Sequence, residues 1–132
     1  MPASLESFIQ QNLGIPHVGT TLANRGQCVG LIEAWLAANK LSAIGGNAVD
    51  LLNNADLKVY RVIRNTPLNY PGASNVVCWD KTWGNGYGHT AVVIAANMHY
   101  IVVFEQNDPD GSPPIVQTHG YAGVAGWIVL PS

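Results

Sequence analysis

The hydrophobic period of this chain changes once, at Lys58, and that change constrains the fold more than any single motif. Before it, Leu5, Phe8, Ile9 and Leu13 stand three, one and four residues apart, which puts them on one face of a helix. After it, Val59, Arg61, Ile63 and Asn65 alternate with Tyr60, Val62, Arg64 and Thr66, the pattern of a strand. Helices first and strands afterwards predict an α+β domain, its N-terminal helices packed on an antiparallel β-sheet of about five or six strands.

In the helical half, Ser4 is placed to cap the first helix, and Gly14 with Pro16 to stop it. A second helix is expected from about Gln27 to Ala38. Its apolar residues Val29, Leu31, Ile32, Trp35, Leu36 and Ala38 cover most of its circumference, so it belongs at the centre of the fold. A shorter helix is expected over Asn47 to Asn54, with Ala48, Leu51 and Leu52 inward. Further strands are expected at Asn75–Trp79, Thr90–Ala95, Tyr100–Glu105, Ile115–His119 and Gly126–Leu130. The second and third of these form a hairpin through Asn97-Met98-His99. At 132 residues there is room for one core, so residues 1–132 are expected to be a single domain.

Only 11% of residues are charged and the net charge is −2, which argues against a disordered tail and against a nucleic-acid partner. No run reaches the length of a membrane span, and Met1 to Glu6 lacks the basic start and long apolar core of a signal peptide. Synthesis in a cytoplasm without an export signal is the expectation.

Two cysteines are too few for a disulfide scaffold or a thiolate zinc site. Cys78, inside Val76-Val77-Cys78-Trp79, reads as a small buried hydrophobe. Cys28 differs. The run Gly26-Gln27-Cys28-Val29-Gly30 places it in the first turn of the central helix, where free backbone N–H groups and the helix dipole favour thiolate over thiol. A nucleophile there needs a base and a group that orients the base. His89 opens one strand of the hairpin, and Glu105 and Asn107, two residues apart, end the other facing the same way. Hairpin pairing can set the imidazole beside the carboxylate or the amide, with the second helix carrying the sulfur over the ring. A histidine at a strand start is also commonly structural, and Glu-x-Asn is also a common opening of a solvated turn. The residues alone leave both readings open.

Trp83 and Tyr87, just before His89, are candidate cleft walls for a sugar or peptide. Gln27 and the backbone N–H of Cys28 are candidate donors to an oxyanion. His17, His99 and His119 lack metal-type spacing and read as surface or structural residues. Asp108-Pro109-Asp110-Gly111 reads as a turn before it reads as a calcium loop. No metal site and no cofactor are expected.

Five short motifs stand in order along nearly the whole chain: Gln27-Cys28 at a helix start; Asn65-Thr66-Pro67 and Pro71 before Val76-Val77-Cys78-Trp79; Gly88-His89-Thr90-Ala91-Val92-Val93; Phe104-Glu105-Gln106-Asn107; and Gly126-Trp127. In this order the chain resembles the CHAP family, the cysteine, histidine-dependent amidohydrolase/peptidase domains of phage endolysins and bacterial wall hydrolases. The resemblance implies a papain-like α+β fold with Cys28 as nucleophile, His89 as general base and then acid, and Glu105 orienting His89. It also matches Asn107 to a polar position of the site, and whether Glu105 acts alone or with Asn107 stays open. Two departures stand out. Relatives often carry acidic residues in the loop before the cysteine, where some bind calcium, but His17 to Gln27 holds no carboxylate, so calcium is not supported there. Ser74-Asn75 also replaces the family's Gly-Asp.

The function that follows is a peptidoglycan hydrolase, phage lysin-like, cutting an amide of the wall peptide as an endopeptidase or an N-acetylmuramoyl-L-alanine amidase. Bacterial peptidoglycan is the expected partner, the protein is expected to be a monomer without a separate wall-binding domain, and it would reach the wall after release or from the virion. The alternatives are a papain-like peptidase or deamidase acting elsewhere and an inactive wall-binding module.

Overall fold

The computed structural model describes residues 3–132, so the first two residues of the stretch read for an export signal lie outside it. The first helix, α1, spans Leu5–Asn12, and the Ser4 hydroxyl caps it by accepting from the Ser7 N–H at 3.2 Å. The central helix α2 spans Cys28–Ala38. A 3₁₀ turn, Ala48–Asp50, runs into the short α3, Leu51–Asn54, and the Asp50 carboxylate accepts from the Asn47 N–H at 3.0 Å.

Six strands follow: β1 Arg61–Arg64, β2 Val76–Trp79, β3 His89–Ala96, β4 Ile101–Glu105, β5 Ile115–His119 and β6 Val124–Val129. They form one sheet in the order β1-β6-β2-β3-β4-β5, every neighbouring pair antiparallel. The α+β expectation therefore holds, with the sixth strand present. Most boundaries fall within a residue or two of those expected, and the largest shift is at the first strand. The strand expected from Lys58 begins at Arg61, because Asp56 folds the chain into a turn: its carboxylate accepts from the Lys58 N–H at 2.9 Å and its carbonyl from Tyr60 at 2.8 Å.

One core lies between the helices and one face of the sheet, where Leu31, Trp35 and Leu36 of α2 meet Val92 and Phe104. Phe8 packs on the Trp35 ring at 5.0 Å and edge-on to Phe104 at 6.0 Å. Full burial of such side chains contributes about 1.5–3 kcal/mol each, which fixes the axis of α2 on the sheet. A second core covers the other face through Trp79, Ala91, Val93, Val103 and Trp127. Among the described residues no helix is long and apolar enough to cross a membrane.

Candidate active site

Cys28 is the first residue of α2, and the loop before it is tied down from two directions. From inside the helix, the Glu33 carboxylate accepts from the Thr20 and Thr21 N–H groups, from both threonine hydroxyls, and from Asn24 Nδ2 at 2.7 Å. From the sheet, the buried Gln106 amide donates to the carbonyls of Val18 and Gln27, at 2.9 and 2.8 Å, and accepts from the Val18 N–H at 2.9 Å. The loop passes so close to α2 that a Cβ at position 30 would lie 2.2 Å from the Asn24 carbonyl oxygen, which only glycine allows. Together these contacts settle where the helix begins and so where the sulfur sits.

His89 opens β3 opposite Trp79, and Glu105 closes β4. Side chains that pair directly across strands, or stand two apart on one, share a face. His89 and Glu105 therefore belong to the face of Trp79 and Val103, opposite the face under α2. The cysteine meets the ring around the end of the sheet, where α2 starts, rather than across the sheet as the periodicity implies.

His89 Nε2 donates to Glu105 Oε1 at 2.7 Å, and both side chains are buried. With Nε2 engaged, Nδ1 is the nitrogen left to face Cys28, which lines the same groove. Burial opposes a charge on His89, but the hydrogen bonds to Cys28 and Glu105, and the negative charge of both, outweigh it and lift the ring to about 9. Burial likewise works to raise Glu105, yet its hydrogen bonds from His119 and His89 and their positive charge hold the carboxyl below its usual range.

Cys28 and His89 open on a groove of about 640 Å³, walled also by Gln27, Tyr87, Asn107 and Asp108. Cys28 is half-buried and Tyr87 exposed, so the sulfur is reachable from solvent along a surface with an aromatic side. The other cysteine, Cys78, is fully buried 3.7 Å from the Thr90 hydroxyl, and burial pushes its thiol up to about 12.

The structure thus brings together Cys28, His89 and Glu105, with Asn107 on the wall of the same groove and hydrogen-bonded to Gln27 beside the nucleophile. Asn107 has φ 69°, so the strand alternation ends at Glu105 and the two side chains do not share a direction. The Asn107 amide instead donates to Gln27 Oε1 at 3.4 Å, and its oxygen accepts from the Gly111 N–H at 2.6 Å. Trp83 also departs from expectation. It does not line the groove but stacks behind the His89 ring, centroids 5.7 Å apart and planes 15° from parallel. The sequence reading gives two residues no place in the site: Gln106, which enters only as part of a motif, and His119, read as surface or structural, whose Nε2 lies 2.6 Å from Glu105 Oε2. A histidine on the strand paired with the one that ends in Glu105 is the only trace His119 leaves in the sequence.

The loop before Cys28 turns N–H and O–H donors toward the Glu33 carboxylate. His89, Glu105 and Asp108 offer three ligand atoms within 4.8 Å of one another. Nε2 of His89 and both Glu105 oxygens are, however, already committed to hydrogen bonds with each other and with His119.

Comparison with known proteins agrees with this fold. Over 94 residues the chain is 34% identical to the endolysin PlyTW of Staphylococcus phage Twort, a stretch that covers 63% of this chain and 20% of PlyTW. The chain thus spans about a fifth of the length of that curated relative. Its fold matches the crystal structure of the endolysin LysIME-EF1 with a TM-score of 0.75 at 24% identity, over 98% of this chain and 65% of that one. It matches Ly7917 with a TM-score of 0.69 at 18% identity, over 94% and 59%, and PlyC with 0.69 at 21%, over 96% and 34%. The family model for the CHAP domain matches residues 17–107, from the loop that shapes the helix start to the end of the Glu105 strand, and this chain belongs to the CHAP domain family.

Proposed function

We propose that this chain is a peptidoglycan hydrolase that cuts an amide of the cell-wall peptide by thiol chemistry. One observation carries the reading: a solvent-reachable thiol and a buried imidazole share one groove, and the imidazole's far nitrogen is held by a carboxylate. The 34% identity to a stretch of a phage endolysin supports the wall as the substrate.

In this mechanism the Cys28 sulfur, its proton passed to His89, attacks the amide carbonyl carbon and forms a tetrahedral oxyanion. The backbone N–H of Cys28, free at the helix start, donates to that oxygen. Gln27 is the second donor: Asn107 holds its side-chain oxygen, which leaves its amide N–H groups for the substrate. The C–N bond breaks as the imidazolium gives its proton to the leaving nitrogen, leaving a thioester. Water, deprotonated by His89, then releases the acid and restores the thiol. Glu105 holds the ring throughout, and Tyr87 flanks the bound peptide. No metal or cofactor enters these steps, and the donors around Glu33 argue against calcium in the loop before Cys28. The protein acts as a monomer on the wall, after release from the cell or from the virion.

Turbidity of purified cell walls tests the reading. The wild-type chain clears them and Cys28→Ser does not; clearing that survives in Cys28→Ser overturns the thiol mechanism. Mass spectrometry of the released fragments distinguishes the amidase bond, muramic acid to L-alanine, from bonds of the stem peptide or cross-bridge. Thiol-dependent cleavage of free peptides with intact walls would assign the chain to the other papain-like enzymes, and binding without cleavage would make it a wall-binding module.

A further inference from the structure

Glu105 is fully buried, so its carboxylate has no solvent to hold it, and each oxygen depends on protein donors. Oε1 receives His89 at 2.7 Å. Oε2 receives His119 Nε2 at 2.6 Å and Gln117 Nε2 at 3.0 Å, and His119 also reaches Oε1 at 2.9 Å. His119 is itself fixed: its ring stands edge-on to Trp79 at 5.4 Å and to Trp83 at 5.3 Å. It does not line the groove.

We propose that His119 is a positioning residue for this site, which together with Gln117 clamps the Glu105 carboxylate so that one oxygen is presented to His89. The proposal rests on the reading of Cys28, His89 and Glu105 as the reacting set. A glutamate side chain has three rotatable bonds, and only a hold on the oxygen turned away from His89 selects the rotamer that meets the ring. Gln117 gives the carboxylate one of its two amide N–H groups and the Asp108 carbonyl the other, at 2.6 Å, so His119 supplies the shorter of the two donors to Oε2. The titratable groups around the pair are Cys28 from α2, Glu105 from β4, Asp108 from the turn after it, and His119 from β5, whose Nε2 lies 3.6 Å from the Asp108 carboxylate.

The test compares His119→Gln, whose amide nitrogen falls near the place of Nε2, with His119→Asn, whose amide falls near Nδ1 and stops short of the carboxylate. NMR of histidine-labelled, substrate-free protein reads the His89 titration. It is expected near the value of about 9 in the wild type and in His119→Gln, and clearly lower in His119→Asn. On cell walls, His119→Asn is expected to lose about 10- to 100-fold in kcat with KM unchanged, the kinetic equivalent of one hydrogen bond to a charged group. His119→Gln recovers most of it. An unchanged His89 titration in His119→Asn overturns the proposal, as does an equal change in both variants. A wild-type His119 ring without a proton on Nε2, read from its nitrogen shifts, overturns it with no variant needed. The titration requires no substrate, so walls left intact by the wild type would remove the proposed function while His119 is still decided.

Discussion

Glu105 Oε1 accepts from His89 Nε2 at 2.7 Å, and both side chains are buried. In such a pair the carboxylate both aims the ring and favours its charged form. Glu105→Gln keeps the volume, loses the charge, and puts an amide where an acceptor is needed. Wall-clearing kcat is expected to fall about 100-fold or more, the usual worth of a positioned general base. The His89 NMR titration is expected to drop from about 9 toward the ordinary value of 6.5.

The same pair sets a pH dependence whose sign can be worked out. His89 is raised in the folded state, so its contribution to stability is complete below 6.5 and is lost as pH climbs through about 9. Glu105 is lowered, so its contribution is present above 4.5 and is lost as pH falls further. Urea melts from pH 2 to 10 are expected to show a decline on both sides, with the alkaline loss on the order of 1–3 kcal/mol. In His89→Gln the alkaline decline is expected to vanish.

Glu33 gathers the donors of the loop before Cys28 onto one carboxylate. Glu33→Ala leaves those groups without their acceptor, at a cost of about 1–3 kcal/mol. A melting temperature several degrees lower is the expected result by circular dichroism. Added calcium is expected to leave the wild-type melting temperature where it is and not to restore the variant.

Gln106 joins the loop before the nucleophile to the end of β4 through three hydrogen bonds, all to backbone groups of Val18 and Gln27. Gln106→Leu fills similar space but strands the Val18 N–H, at about 1–3 kcal/mol. Alkylation of Cys28 by iodoacetate, compared at a temperature where both proteins are folded, is expected to be slower in the variant, because the sulfur no longer rests at one distance from His89.

The parts of the site legible in the sequence are those set by local rules. Cys28 follows a glycine at the start of an apolar helical run, and His89 and Glu105 sit at the ends of two strands whose alternation is plain. The rest depends on long-range geometry. Gln106 meets Val18 across 88 residues, and His119 meets Glu105 only through the pairing of β4 with β5. Asn107 does line the groove, but not by the strand alternation: β4 ends at Glu105 and the backbone turns left-handed at Asn107 itself. The start of β1 shifts because one aspartate side chain captures the backbone ahead of it.

Glu105 and Gln106 are neighbours in the chain, yet one serves the imidazole and the other the segment that delivers the sulfur. A single peptide unit thus sets the spacing between nucleophile and base. A one-residue slip of β4 against β3 would offer the ring an uncharged amide and thrust a carboxylate among backbone carbonyls, disarming both halves at once. The hairpin register therefore acts as the assembly gauge of the whole apparatus.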